Sequence, residues 1–250
     1  MSNPTAAILI IGNEILSGRT QDLNVQFIAK RLAALGIRLA EVRVIPDVPQ
    51  RIIGAVNELR AAYDQLFTTG GIGPTHDDIT SECIAAAFGV PWEHHAETFA
   101  LMRERMGETF NAARQRMATM PRGAKPITNP ASLAPGFSIG NVHVMAGVPR
   151  IMQSMFAALE PELPRGEPID MRAVYAMGVL EGNIAAGLSE IQDRFPGVDI
   201  GSYPFRRGDA LWGVAAVAKG TDVAALEAAI AQVTELFRTQ NAEPVQGEPD

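Results

Sequence analysis

A wholly apolar run, Ala6–Gly12, opens a strand–helix alternation that repeats three times before Gly89, and this alternation limits the chain to few folds. Such a run suits a parallel strand covered on both faces. The spacing of Val25, Ile28, Ala29, Leu32 and Leu35 predicts a helix over 23–35, closed by Gly36 in the left-handed conformation. A second strand follows over 37–45, and Pro49 suits the first turn of a helix reaching about Tyr63. The third unit is a strand over 65–69, a glycine loop, and a helix from about Asp78 to Phe88. Three such units with right-handed crossovers predict an α/β fold, a doubly wound and mostly parallel sheet in three αβα layers.

Beyond Gly89 the pattern predicts a long helix over 96–120 with methionines as core filler, then a Pro/Gly/Asn-rich loop over 121–135. Strands 136–139 and 142–146 around Gly140-Asn141 read as a hairpin, followed by a helix over 149–159. Residues 161–168, rich in Pro and charge, read as a linker between a domain over 1–160 and a smaller one over 169–240. The smaller one follows a β-α-β-β-α order, a small α+β domain of split βαβ type. Residues 241–250 read as a flexible tail.

The formal net charge of −7 and the lack of any basic run argue against nucleic acid, which cationic side chains must neutralise. No apolar stretch is long enough to span a membrane, and the first residues lack a signal peptide's basic start. With Cys83 as the single cysteine, a reducing cytoplasmic setting is expected.

The chemistry centres on the loop Thr69–Thr80. Gly70, Gly71 and Gly73 allow backbone N–H groups to approach an anion, and the following helix points the positive end of its dipole there. Pro74, Thr75 and Thr80 frame it, and His76 lies within it. No lysine follows as in a P-loop; Asp77 and Asp78 stand there instead. A carboxylate about 4 Å from a phosphate costs on the order of 4 kcal/mol at an effective dielectric of 20. The pair therefore predicts a bridging divalent cation (Mg²⁺, Mn²⁺ or Co²⁺), with one aspartate capping the helix and the other binding metal. Glu14, Asp22 and Asn24 add acceptors after the first strand, although Asp22 can equally start the next helix. Asn129 and Gly136 belong to a rigid turn, and Arg150 offers a phosphate contact. Cys83 reads as a small buried residue, and His94-His95 as a solvated helix start.

The segments GNEILSGRTQDLN (12–24), TTGGIGPTHDDIT (68–80), NPASLAPGF (129–137) and GVPR (147–150) together resemble the CinA (competence/damage-inducible protein A) family. More broadly they resemble the molybdopterin-binding domain shared with molybdopterin adenylyltransferases. Asp78, Thr80 and Glu82 match the adenylyltransferase pattern, Asp77 stands where those enzymes usually carry Arg, and Asp47 matches another of their acidic positions. The resemblance implies metal-dependent hydrolysis of a nucleotide pyrophosphate such as ADP-ribose or FAD. The alternatives are adenylyl transfer to a pterin and a non-catalytic nucleotide sensor. Ser132, Ala146 and Ile151 depart from the family's usual Gly, Pro and Glu. The amidase domain of longer CinA proteins is not expected here. The expected partners are a small phosphate-bearing ligand and, through the small domain, further copies of the chain.

Overall fold

The structure is a computed structural model, and it describes residues 3–207 and 211–249. The chain divides into two compact units, residues 1–166 and 167–250.

In the first unit β1 (Thr5–Ile11) leads through a short helix α1 (Asn13–Leu16) to α2 (Asn24–Ala34), β2 (Arg38–Ile45), α3 (Pro49–Ala62), β3 (Gln65–Thr69) and α4 (Thr80–Phe88). β4 (Trp92–His94), α5 (Ala96–Met106), α6 (Ala112–Arg116) and β5 (Thr119–Pro121) form an excursion in which β4 and β5 pair antiparallel. β6 (Lys125–Ile127), β7 (Gly136–Ile139), β8 (Val142–Met145) and α7 (Pro149–Leu159) complete the unit. The sheet order is β2-β1-β3-β8-β7-β6; β2, β1, β3 and β8 run parallel, while β7 is antiparallel to both its neighbours, β8 and β6. The unbroken apolar run of β1 now has its reason: Ala7, Leu9 and Ile11 pack in one core cluster with α3 and α4, and Ala6, Ile8 and Ile10 in the other with α2 and α7. The α/β, doubly wound, three-layer expectation is thus met.

The second unit runs β9 (Asp170–Met177), α8 (Glu181–Arg194), β10 (Val198–Arg207), β11 (Leu211–Gly220), α9 (Val223–Thr239) and β12 (Pro244–Gln246). Its sheet, ordered β10-β11-β9-β12, is antiparallel throughout. The two helices pack over Val174, Ala176, Val214 and Ala216.

Three sequence expectations need correction. The helix over 96–120 is interrupted by Gly107, which takes a positive φ of 52° and opens a 3-10 turn, so that α6 and β5 occupy its second half. Residues 161–168 are not simply a linker: Leu163 is buried in the first unit's core, and the Gly166 N–H donates to the Leu35 carbonyl. Nor is 241–250 wholly free, since Pro244–Gln246 pairs with β9 and gives that strand a second neighbour.

Candidate functional site

Four loops meet at the edge of the first sheet where β1, β3 and β8 end and β7 begins. Ligands of open α/β sheets bind at the carboxyl ends of the strands. Here the loops enclose a cavity of about 620 Å³.

The β3 loop supplies its floor. Gly70 (φ 103°) and Gly71 (φ 67°) both lie in left-handed backbone. A Cβ on Gly70 would meet the Ile11 carbonyl, and one on Gly71 the Thr80 hydroxyl, so both positions exclude any larger residue. A Cβ on Gly73 would lie 2.6 Å from Asp78 Oδ2. Bare backbone at the cavity is therefore enforced from behind at Gly70 and Gly71 and by the Asp78 carboxylate at Gly73. All three glycines, Pro74 and Asp78 line it, while Thr75, His76 and Asp77 do not.

The two aspartates thus separate. Asp78 accepts from the Thr75 N–H at 2.8 Å and also from the Thr75 hydroxyl, and its own carbonyl accepts from Arg116 at 3.2 Å. The carboxylate of Asp77 accepts from the same hydroxyl at 2.6 Å. That bond, aided by its own backbone N–H and by His76, holds Asp77 below the usual carboxylate range against a small desolvation penalty. One hydroxyl proton serves only one of the two carboxylates at a time. Neither aspartate caps α4, whose N-terminus has no side-chain cap; the expectation of one capping aspartate is corrected. The carboxylates instead brace the loop that precedes the helix. Thr80 is fully buried behind the loop, its N–H donating to Gly71 O, while its hydroxyl has no partner.

From the β1 loop, Glu14 and Thr20 reach the cavity. Asp47 does not: its carboxylate accepts from the Asn13 N–H at 2.8 Å and so fixes the turn that carries Glu14. Asp22 accepts from the Val25 N–H at 2.8 Å and starts α2. Asn24 is 3% exposed and donates to the Gly147 carbonyl at 2.8 Å, which ties the β1 and β8 loops together. All three support the site from behind its lining. Asn129 is likewise buried and donates to Ser132 Oγ and Ala134 O, shaping the turn whose Ser132 and Ala134 line the cavity. Gly136 is a packing glycine, since a Cβ there would strike the Val144 carbonyl. Arg150 is exposed and outside the lining.

The remaining wall escaped sequence reasoning. Ile72, Met117, Ala146, Val148, Ile151 and Met155 contribute it; their composition does not mark them as lining, and Ala146 and Ile151 stand out only as departures from the family pattern. The signal lay in the Gly147-Val148-Pro149 turn, which departs from the strand end beside Gly70. Cys83 is buried and its thiol pushed up to about 11 by burial, so it is no nucleophile. His95 caps α5 by accepting from the Thr98 N–H, and His94 meets the Thr119 hydroxyl at 2.9 Å.

Among the described residues, no group of three or more His, Cys, Asp or Glu side chains is placed to hold a metal ion. The donor set does not make a closed protein cage. Asp78 and Glu14 are the two carboxylates of the lining, a set suited at most to a hard cation that brings other oxygen ligands with it.

Comparison with known proteins agrees with this architecture. Residues 7–165 match the family model described as "Probable molybdopterin binding domain", and residues 171–246 match "FAD synthase, middle domain". A protein of Pyrobaculum calidifontis is 37% identical over 212 residues, covering 80% of this chain and 81% of that protein. A CinA-like protein of Anaeromyxobacter dehalogenans is 37% identical over 149 residues, 57% of this chain and 36% of that longer protein. The crystal structure of the protein CinA from Thermoplasma acidophilum superposes with a TM-score of 0.61 at 30% identity, covering 65% of this chain and 99% of that one. No helix among the described residues is long and apolar enough to cross a membrane. With a match to the molybdopterin-binding domain over more than half its length, the chain belongs to the CinA-like branch of the molybdopterin-binding-domain family, and its residues 171–246 are similar to the middle domain of FAD synthase.

Proposed function

We propose that the chain binds and hydrolyses a nucleotide pyrophosphate of the ADP-ribose or FAD type at the cavity beside Gly70–Gly73. One observation carries the reading: backbone stripped of side chains by packing faces a cavity into which the Asp78 and Glu14 carboxylates also project. Backbone N–H groups in such a turn suit phosphate oxygens, and here the turn after Gly70 would supply them, since the Gly70 N–H itself donates to the Met145 carbonyl. Two carboxylates with no lining cation do not, unless a divalent ion accompanies the diphosphate. Such an ion would polarise the phosphoryl oxygens and lower the pKa of a bound water. Within this reading Asp78 holds the ion, Thr75 orients the Asp78 carboxylate, and Asp47 and Asn24 keep the flanking loops in register. Asp77 lies outside the lining and supplements charge without touching the ligand. The likeness of residues 171–246 to the middle domain of FAD synthase favours FAD among the candidate substrates.

The test is a panel of ADP-ribose, FAD, and ATP with molybdopterin, each with Mg²⁺, Mn²⁺, Co²⁺ or EDTA. Cleavage of ADP-ribose or FAD to mononucleotides that stops in EDTA supports the proposal. AMP transfer from ATP to the pterin, or saturable binding without turnover, would replace it.

A further inference from the structure

Beside the bare backbone of the glycine loop and the two carboxylates, the cavity is lined by the apolar side chains of Met117, Ala134, Ala146, Val148, Ile151 and Met155. Among the described residues, no Lys, Arg or His lines it. Even the strand-end amide is withdrawn from a ligand, because the Ala146 N–H points at Met155 Sδ, 3.4 Å away. Met155 is 1% exposed, so this sulfur is fixed within the core and not free to swing aside. Ile151 stands one helical turn before it on α7, half-buried at the cavity wall. Its β-branched side chain has a restricted χ1 in a helix, which holds the apolar surface in place.

We propose that this wall selects nucleotide pyrophosphates whose group beyond the diphosphate carries no charge, with Ile151 as a specificity-determining residue. The inference rests on the pyrophosphate reading and adds to it what the apolar part of the lining excludes. A further phosphate monoester seated against this wall would be desolvated with no counter-charge, while Glu14 and Asp78 add repulsion.

The experiment is calorimetric titration with Mg²⁺ of pyrophosphate, ADP-ribose, and two ADP-ribose analogues bearing one more phosphate, at the adenosine 2′ position or at the terminal ribose 5″ position. Whichever end seats on the wall, one analogue is expected to bind at least about tenfold more weakly than ADP-ribose. Ile151→Lys is expected to return that analogue to within about threefold of ADP-ribose, whereas Ile151→Met keeps the discrimination. Val148→Lys, at a position 57% exposed on the same rim, provides a second cation should Ile151→Lys not fold. A wild-type chain that binds pyrophosphate yet takes all three ADP-ribose ligands equally overturns this inference alone. So does a folded lysine variant with unchanged discrimination. Failure of the wild-type chain to bind pyrophosphate overturns the underlying reading as well.

Discussion

Replacing Asp78 by Asn keeps an oxygen that can accept from the Thr75 N–H and removes only the charge. Turnover should fall by orders of magnitude while the melting temperature moves little, and Asp77→Asn should be milder because Asp77 lies outside the cavity. Full activity in Asp78→Asn would reduce that residue to a brace of the loop. A second residue-scale prediction concerns His143, which is 7% exposed between Ser138 Oγ at 2.8 Å and Gln65 Oε1 at 2.7 Å. Burial lowers its pKa from 6.5 to about 4, with Glu162 opposing weakly. The unfolded chain then binds the extra proton between those values, so stability is complete above pH 6.5 and falls as the pH drops towards 4. The loss over that window approaches about 3 kcal/mol. Urea unfolding of the wild type and of His143→Gln at pH 7, 5.5 and 4.5 isolates it: the difference between the two should shrink with acidity. A constant difference would show that His143 is not held neutral.

At the scale of elements, sheet spacing and loop closure both depend on glycine. Gly136→Ala would push a methyl group into the Val144 carbonyl and so part β7 from β8, with a cost of a few kcal/mol seen in thermal unfolding. Gly70→Ala combines a φ of 103° with a clash against Ile11 O, and it should abolish ligand binding even where the unit still folds. Unaltered pyrophosphate affinity in a folded Gly70→Ala would mean that the loop does not contact the ligand. These elements were the legible part of the sequence: apolar runs gave the parallel strands, and Gly-Gly-x-Gly after β3 marked the sheet edge that carries the cavity. The illegible part has physical causes. Helical spacing over 96–120 continues past Gly107, whose backbone conformation no periodicity reveals. Asp22, Asn24, Asp47 and Asn129 look like ligand contacts because polar residues near a glycine loop serve either purpose; only the geometry shows that each bonds to backbone or a neighbouring turn. Apolar lining residues such as Met117 and Met155 carry no signal at all, since a pocket wall and a core share one composition.

For the whole molecule, the division at Gly166 predicts where the chain can be cut. If the chemistry belongs to the first unit, a fragment of residues 1–166 should fold and keep its affinity for Mg²⁺-pyrophosphate. A cut after residue 160 should behave differently, although sequence composition alone places the domain end there. It removes Leu163, which is 5% exposed in the core beside α2 and α7, together with Glu162, which pairs with Lys125 at 2.7 Å. The exposed ion pair contributes little. Loss of the buried leucine costs on the order of 2–5 kcal/mol, a large share of the stability of a single unit. It also removes Gly166, whose N–H otherwise satisfies the Leu35 carbonyl at the end of α2. The 1–160 fragment should therefore melt well below the 1–166 fragment while binding pyrophosphate normally wherever it stays folded, because none of the cavity's lining lies beyond Met155. Self-association, expected of the second unit with its edge strand β10, which pairs with β11 on one side, should be lost in both fragments when measured by light scattering. A folded 1–166 fragment that remains oligomeric but no longer binds pyrophosphate would reverse both assignments, placing the contacts between copies in the first unit and a necessary part of the site in the second.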